Sequence, residues 1–454
     1  MRRTLATLAV MALAACVPVA PQATRGVVMV DRVDLPPVHR FAGTPALEIP
    51  VQANDQLARD FMALTFQLET GAHLDVFTRF EGPVTVAVEA RGPVLPTLDP
   101  DLDDLLDRLR DEAGIEIARA APGETPSITV SALPRATLAR HVPGAACFVV
   151  PRVSGWADFL ARRRTASTDW TTLRTRRQAS VFLPSDVSPQ EIRDCLHEEL
   201  AQALGPLNDL YRLPHSVFND DNMQVVLTAY DMTILRATYD PRLASGMSRD
   251  AVAEVLPAIL ADIHPEGRAV AAGSEAATDA AWDAALRGAL DPAGSDRTRL
   301  DSARRAVALA DAAGWRDGRL AMSHLARGRA ALLRHGDEAV SSFLAAERAY
   351  DRAAGYSLQS AQVAVQMVAF AISAGQADLA LAQLDRAIPV AYGGQNAALL
   401  ATLLLMRAEA VALQGDPAEA CGIRREGLAW GRYAWGDAAL MRQAAEVASL
   451  RPAA

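Results

Sequence analysis

Residues 188–209 read SPQEIRDCLHEELAQALGPLND, and the interpretation of the whole sequence depends on this stretch. Ser188, the proline after it and Glu191 three positions later form a capping box with proline at the first helical position, so a helix is predicted to begin here. A glycine and a proline, beginning at Gly205, predict the end of this helix at about Leu204.

One face of the predicted helix combines apolar residues with a carboxylate. At about 100° per residue, Glu199 lies near the middle of an apolar stripe and Gln202 lies at its edge, whereas His197 points away from the stripe. A carboxylate on an apolar stripe is costly unless it is paired, hydrogen-bonded or functional. Glu199 is therefore the first candidate for a functional group.

The same helix carries the spacing of a zinc motif, displaced by one residue. His197 and Glu198 begin like HExxH, the helical zinc motif of metalloproteases, but Ala201 stands where the second histidine is needed. Moved by one residue, the stretch has the spacing of the extended motif HExxHxxGxxH, with Glu199 in the place of the general base. The places of the three zinc-binding histidines are taken by Glu198, Gln202 and Asn208.

These residues resemble the proteobacterial lipoprotein family known as domain of unknown function 2927. That family carries an EExxQxxGxxND helix, here residues 198–209, and a following FNDD segment, here Phe218-Asn219-Asp220-Asp221. The stretch TAYDMTILRATYDPRLASGM, residues 228–247, fits as well. The resemblance covers roughly residues 50–265 and implies a zincin-like fold.

The residues at the motif positions argue against a zinc enzyme. Zinc favours Cys, His, Asp and Glu, whereas Gln202 and Asn208 offer neutral amide oxygens. We therefore expect no metal and no other cofactor. The alternative is a divalent metal, for which calcium-like ions accept carboxylate and amide oxygens, and the candidate ligands are Glu198, Asp209 and His215. A hydrogen-bond network around Glu199 and Gln202, or a site without metal, also remains open.

The N-terminus predicts export and a lipid anchor. Residues 1–15, MRRTLATLAVMALAA, have a charged start and a short apolar stretch, as in a signal peptide. Leu13-Ala14-Ala15-Cys16 resembles the lipobox of bacterial lipoproteins, in which the cysteine is lipidated. Valine rather than aspartate follows Cys16, which by analogy with that family favours the outer membrane. Residues 16–48 are interpreted as the lipidated tether.

Three cysteines remain after Cys16, and an oxidising periplasm permits disulfides. One pair and one odd thiol is the expected outcome. We predict a disulfide between Cys147 and Cys195, because both fall in one candidate domain, and we predict that Cys421 is a small core residue of a helical repeat.

Two regions differ in their patterning. Residues 49–270 mix helices, such as those predicted at 54–69 and 99–113, with strand-like runs near Val84, in SITVSA, in ACFVV and in SVFLP. This pattern predicts an α+β domain, zincin-like by the resemblance. Residues 275–454 are rich in alanine and leucine and predict an all-α domain.

The second region repeats. Gly336, Gly375 and Gly415 each lie between two predicted helices at intervals of about 40 residues. They are followed by the small-large-small sets Ala339, Phe343, Ala346 and Ala380, Leu384, Ala387. This pattern predicts tetratricopeptide-like helical repeats, although the period exceeds the usual value of about 34 residues. The alternative is an irregular helical bundle.

Composition excludes several functions. The net charge is −9, which argues against general binding to polyanions. All 45 basic residues are arginine, so lysine-dependent phosphate-loop and Schiff-base chemistry is excluded. Six arginines between 162 and 177 lie near Trp156 and Trp170, a pattern of phosphate-bearing surfaces or of a solvated face. No nucleic acid partner is expected for an exported protein.

Two hypotheses follow. The first is an envelope lipoprotein at the outer membrane, facing the periplasm, with a catalytically degenerate metalloprotease-like domain and helical repeats that bind a protein or peptide partner. The second is a metal-dependent envelope peptidase with Glu199 as general base. In both, the lipid at Cys16 contacts the membrane.

Overall fold

The structure is a computed structural model that describes residues 35–219, 221, 223–271 and 280–452. The predicted signal peptide and Cys16 lie outside these residues. So do Asp220 and the predicted start of the helical region at 275–279.

The first region contains a five-stranded sheet, with one strand more than the sequence predicts. Its strands are β1 (Val84–Ala90), β2 (Ile117–Arg119), β3 (Ile128–Leu133), β4 (Phe148–Pro151) and β5 (Ala179–Pro184). The order is β2-β1-β3-β5-β4, and only β4 runs antiparallel to its neighbour. The unpredicted strand β2 has three residues, too few for a periodic pattern.

The mainly parallel sheet makes this region α/β rather than α+β as predicted from the sequence. Parallel strands need crossover connections, and helices then cover both sheet faces. Every residue of β3 and β5 is buried, as expected for strands covered on both sides. The helices of this region are α1 (Asn54–Thr65), α2 (Leu98–Ala113), α3 (Arg135–His141), α4 (Gly155–Arg162), α5 (Pro189–Leu204), α6 (Ala229–Thr238) and α7 (Arg249–Ile263).

Local signals place the helix ends. The Ser188 hydroxyl accepts a hydrogen bond from the Glu191 amide at 3.2 Å, so α5 begins where the sequence predicts. Gly114 ends α2 in the left-handed conformation at φ 67°, which a glycine adopts without steric cost.

The second region, residues 280–452, consists of helices that are joined by short turns. Its helices are α8 (Ala280–Leu290), α9 (Asp296–Ala312), α10 (Gly318–Ala331), α11 (Gly336–Ala354), α12 (Leu358–Ser373), α13 (Ala377–Gly393), α14 (Ala397–Leu413) and α15 (Pro417–Ala448), the last with a kink at Gly436. Each helix packs on the next. The predicted small-large-small residues of α11 and α13 are fully buried between helices. Among the described residues, no helix is both long and apolar enough to cross a membrane.

The free cysteine corrects one prediction. Cys421 of α15 is exposed, so its assignment to the core of the repeats was wrong. The neighbouring Ala420 is buried instead, because α15 turns that face to the helical array.

The two regions are joined by the segment 35–50. Phe41 stacks on Trp430 of α15, with ring centroids 4.2 Å apart. The Pro36 carbonyl accepts a hydrogen bond from Arg432 at 2.7 Å. Arg40 pairs with Asp101 of α2 at 3.2 Å. This part of the predicted tether therefore contacts both regions.

A buried group of polar side chains, here named the interdomain network, also crosses the boundary. It consists of Arg40, Asp101, Arg193 and Tyr433. The Tyr433 hydroxyl of α15 donates to Asp101 at 2.7 Å, and Arg193 of α5 donates to Gln395, which lies between α13 and α14. Asp101, Arg193 and Tyr433 are almost completely buried, so these polar contacts between the two regions are shielded from solvent.

Candidate functional site

Helix α5, which carries the motif, is covered over most of its surface. It packs on β4 and β5 of the sheet, on α2, and on α15 of the helical region. His197, which the sequence places away from the inner face, is 1% exposed, and its Nδ1 accepts a hydrogen bond from the Leu227 amide at 3.2 Å. Burial lowers the pKa of His197 well below its usual value. The single inner face inferred from the sequence is therefore wrong.

An arginine that the motif does not include holds the C-terminal end of α5. Arg176 is buried and donates to the carbonyl oxygens of Gln202 and Ala203, at 2.6 and 2.7 Å, and to that of Gly205. A cation at this place satisfies the last carbonyl groups and complements the helix dipole. Burial lowers the pKa of Arg176 to about 10, so it stays charged at neutral pH.

The sequence does not predict this role for Arg176, because Arg176 is one of the six clustered arginines between residues 162 and 177. The guanidinium of Arg176 lies over the Trp170 ring at 5.0 Å, and Trp156 is buried among phenylalanines. Part of the aromatic and basic pattern between residues 156 and 177 therefore belongs to the core of the protein. Nothing in the spacing of these arginines along the chain distinguishes Arg176 from its exposed neighbours.

The two amide residues of the motif bond to the chain itself. The Gln202 side-chain amide donates to Asp209 at 3.2 Å. The Asn208 amide donates to the Ala63 carbonyl of α1 at 3.1 Å. These bonds fix the turn after α5 against α1, so both side chains have a structural task. The motif spacing assigns both residues to zinc-binding positions, but neutral amide groups are poor zinc ligands.

The two carboxylates of the motif lie beside the predicted disulfide, which is confirmed between Cys147 and Cys195. We name Glu198 and Glu199 the acidic pair. One oxygen of each carboxylate and the Cys147 sulfur lie within 4.8 Å of one another. Among the described residues this is the one such group of three, and neither Asp209 nor His215 is part of it.

Glu199 is in an electrostatically unfavourable position. It is 5% exposed, and its Oε2 has no hydrogen-bond partner among the residues that the structure describes. Burial raises the pKa of Glu199 well above its usual value, and the nearby Glu198 and Glu69 raise it further. The raised pKa means that the protonated form of Glu199 is favoured over the ionised form, which does not suit a carboxylate base.

His215 lines a different feature, a cleft of about 390 Å³ between the two regions. Burial lowers the pKa of His215 to about 4, so the imidazole is neutral. Beside it, Asp60 forms an ion pair with Arg212 and accepts a hydrogen bond from the Tyr230 hydroxyl at 3.0 Å. The sequence predicts His215 as a candidate metal ligand, but it does not predict that His215 lies in a cleft beside Asp60 and Arg212.

The opposite wall of the cleft comes from the helical region. It is formed by Asp317, Gly318, Arg319, Tyr350, Ala353, Ala354, Ser357 and Gln359. Arg319 pairs with Asp317 and lies over the Trp315 ring at 3.8 Å. Charges of both signs thus line the two walls. On each wall an arginine forms an ion pair with an aspartate. No sequence signal predicts the cleft, because its walls come from segments up to about 300 residues apart.

The fold and these sites define an α/β domain that is fused to an array of paired helices, with a polar cleft between them. Residues 54–258 match the sequence model of the family described as protein of unknown function (DUF2927). The match includes α5 and the acidic pair and ends before the helical region. No curated protein and no solved structure matches the chain.

Proposed function

We propose that this protein is a lipid-anchored binding protein of the bacterial cell envelope. In it, a zincin-like domain without catalysis and a tetratricopeptide-like array hold a peptide ligand between them. The observation that carries the proposal is the cleft of about 390 Å³, whose walls come from both regions. Ligand sites are commonly concave and lie at domain boundaries.

The residues at the motif positions support the loss of catalysis. Gln202 and Asn208 bond to Asp209 and Ala63, and Glu199 carries a raised pKa. The zincin-like interpretation rests on the motif spacing and on the end of α5 at Gly205, which places Asn208 in the turn that follows. The tetratricopeptide-like interpretation rests on small residues buried between paired helices.

The walls of the cleft favour a peptide. Each wall offers an acid and an arginine, Asp60 with Arg212 and Asp317 with Arg319, next to apolar surface such as Ala353. Such walls match a chain with amide groups and charges of both signs. They do not match a polyanion, and the net charge of −9 opposes one as well.

The disulfide supports a place outside the cytoplasm. Cysteine pairs persist in oxidising compartments, and the bond between Cys147 and Cys195 agrees with the export that the N-terminus predicts. The outer membrane and the lipid at Cys16 are parts of the proposal. Replacement of Cys16 by serine is expected to move the protein from the membrane fraction to the soluble fraction. Equal membrane binding of this variant would contradict the anchor.

The cleft is tested by filling it. Ala353 is exposed in the last turn of α11 and lines the cleft, so Ala353→Trp occupies the cleft without a change in the core. Ala418→Trp, at an exposed position of α15 away from the cleft, is the matched control. The probe is a set of fluorescein-labelled pentapeptides of differing charge, measured by fluorescence anisotropy.

We expect at least one pentapeptide to bind to the wild type and to the control, and to bind at least about tenfold more weakly to Ala353→Trp. Equal affinity for both variants places the ligand elsewhere and contradicts the proposal. The same samples, analysed by mass spectrometry, test the peptidase hypothesis. Peptide cleavage that Glu199→Gln abolishes would support an enzyme instead.

A further inference from the structure

Three groups of the kinds that bind zinc lie together beside the disulfide, and a fourth, Cys195, is bonded to one of them. The Cys147 sulfur lies within 4.8 Å of an oxygen of Glu198 and an oxygen of Glu199, and it is bonded to the Cys195 sulfur. Zinc in proteins is held by cysteine, histidine and carboxylate groups, and structural sites have four of them. In the oxidised chain the two sulfurs are not thiolates and cannot act as zinc ligands.

A second observation concerns the buried carboxylate. Glu199 is 95% buried, given its 5% exposure, and its Oε2 has no hydrogen-bond partner among the described residues. An acceptor that is buried in this way costs free energy unless a proton, a donor or a cation satisfies it. The neighbouring Glu198 increases this cost by repulsion, whereas a cation between the two carboxylates removes it.

We propose that reduction of the Cys147–Cys195 disulfide opens a zinc site whose ligands are the two cysteine thiolates and the carboxylates of Glu198 and Glu199. This site differs from the set that the motif spacing assigns, because Gln202 and Asn208 take no part. It also lies apart from the cleft and does not depend on the peptide that the cleft binds.

The placement of the ligands suits one ion. Cys195, Glu198 and Glu199 occupy positions i, i+3 and i+4 of α5, which share one side of a helix. Cys147 comes from the segment just before β4. Zinc ligands at about 2.0–2.3 Å from the ion lie at most about 3.8 Å apart in a tetrahedron. The Cys147 sulfur and the two carboxylate oxygens must therefore approach one another by at most about an ångström. Loss of the S–S bond frees the Cys195 side chain to complete the set.

The redox step balances with a dithiol as reductant. Cys147 is partly exposed, whereas Cys195 is buried, so a thiolate of the dithiol attacks the Cys147 sulfur and Cys195 leaves as a thiolate. The second thiol of the reductant then releases Cys147. Two electrons and two protons pass to the protein, and the reductant leaves as a disulfide. Zinc binding displaces the protons of both thiols.

The site has a structural consequence. The disulfide ties the segment before β4 to α5, and the ion takes over this link in the reduced chain. Metal content therefore reports the redox state of the pair.

The test compares zinc binding by the oxidised and the reduced full chain. The chain is reduced with dithiothreitol, freed of the reagent without air, and titrated with zinc alone by calorimetry. The Cys421→Ala background is used throughout, because Cys421 is the one further free thiol among the described residues. We expect one zinc ion per reduced chain and none in the oxidised chain. Cobalt in place of zinc is expected to give a thiolate charge-transfer band.

Variants locate the site. Glu199→Gln and Glu198→Gln are each expected to weaken zinc binding by at least about 100-fold, since loss of a direct ligand costs no less than loss of a supporting group. Glu191→Gln, which removes a partly exposed carboxylate that pairs with Arg135 in the first turn of the same helix, should leave the affinity unchanged. Equal zinc binding by the oxidised chain, or by both acidic-pair variants, overturns the proposal.

A folding readout accompanies these titrations. If reduction unfolds the chain, zinc is expected to restore the circular dichroism of the folded state, and Glu199→Gln should prevent this recovery. A reduced chain that stays unfolded with zinc, or a folded one that binds none, also overturns the proposal.

Discussion

The interdomain network and the acidic pair both contain a buried carboxylate. The neighbours of Asp101 stabilise its negative charge, whereas the neighbours of Glu199 destabilise it. Burial raises the pKa of Asp101, and its neighbours Tyr433, Arg193 and Arg40 act against this shift. Burial also raises the pKa of Glu199, where Glu198 and Glu69 add to the shift. A buried charge with donors and cations around it holds a structure together. A buried carboxylate among carboxylates is suited to a proton or a metal ion.

Removal of the disulfide beside the acidic pair should have the largest effect. The bond closes a loop with a sequence separation of 48 residues, for which chain entropy predicts a stabilisation of about 4 kcal/mol. The double variant Cys147→Ala/Cys195→Ala should therefore lose about 4 kcal/mol of unfolding free energy in urea, without metal. Cys421→Ala is the control, with no expected change, since that thiol is exposed. A double variant as stable as the wild type would show that the bond carries no stability.

The second-largest loss of unfolding free energy is expected for the interdomain network. Asp101→Ala removes the acceptor of Tyr433 and Arg40 and a counter-charge of Arg193, so we expect a loss of about 3 kcal/mol. Asp103→Ala, two residues away in α2, removes an exposed ion pair with Arg119 and should cost less than about 1 kcal/mol. Both variants gain the same helix propensity. Equal losses in urea denaturation would contradict the role of the network.

In the acidic pair, by contrast, a substitution should increase the unfolding free energy rather than lower it. Because the folded-state pKa of Glu199 is raised, its contribution favours the folded state at low pH and is lost as the pH rises above about 4.5, the usual value. Glu199→Gln should remove this loss, so that the metal-free, oxidised variant is more stable than the wild type at pH 8 but not at pH 4. Thermal unfolding across this pH range measures the difference. Destabilisation at pH 8 would mean that the carboxylate is paired after all.

The smallest effect is expected for Tyr433→Phe. This change removes one hydrogen bond of 2.7 Å to Asp101 and keeps the buried ring, so it should cost about 1 kcal/mol. A double-mutant cycle with Asp101→Ala measures the coupling, and the two losses should add to more than the loss of the double variant. Full additivity would mean that the hydroxyl does not act through Asp101.

Local signals in the sequence determined much of the fold. The start of α5 at Ser188 and the end of α2 at Gly114 depend on groups within four residues of each other, so they can be recognised from the sequence. The strands β1, β3, β4 and β5 were predicted by short apolar runs. The buried small-large-small residues of α11 and α13 and the pairing of Cys147 with Cys195 were also predicted correctly.

The tertiary structure alone decided the parallel order of the sheet, the cap of α5 by Arg176 and the cleft at His215. Periodicity assumes that a helix buries one face, but α5 is covered by the sheet on one side and by α2 and α15 on others. His197 is therefore buried although it lies off the apolar stripe. The sequence by itself determined which residues can end a helix or fill a core. Which distant groups meet depends on packing between segments far apart in the chain, and no local pattern records that.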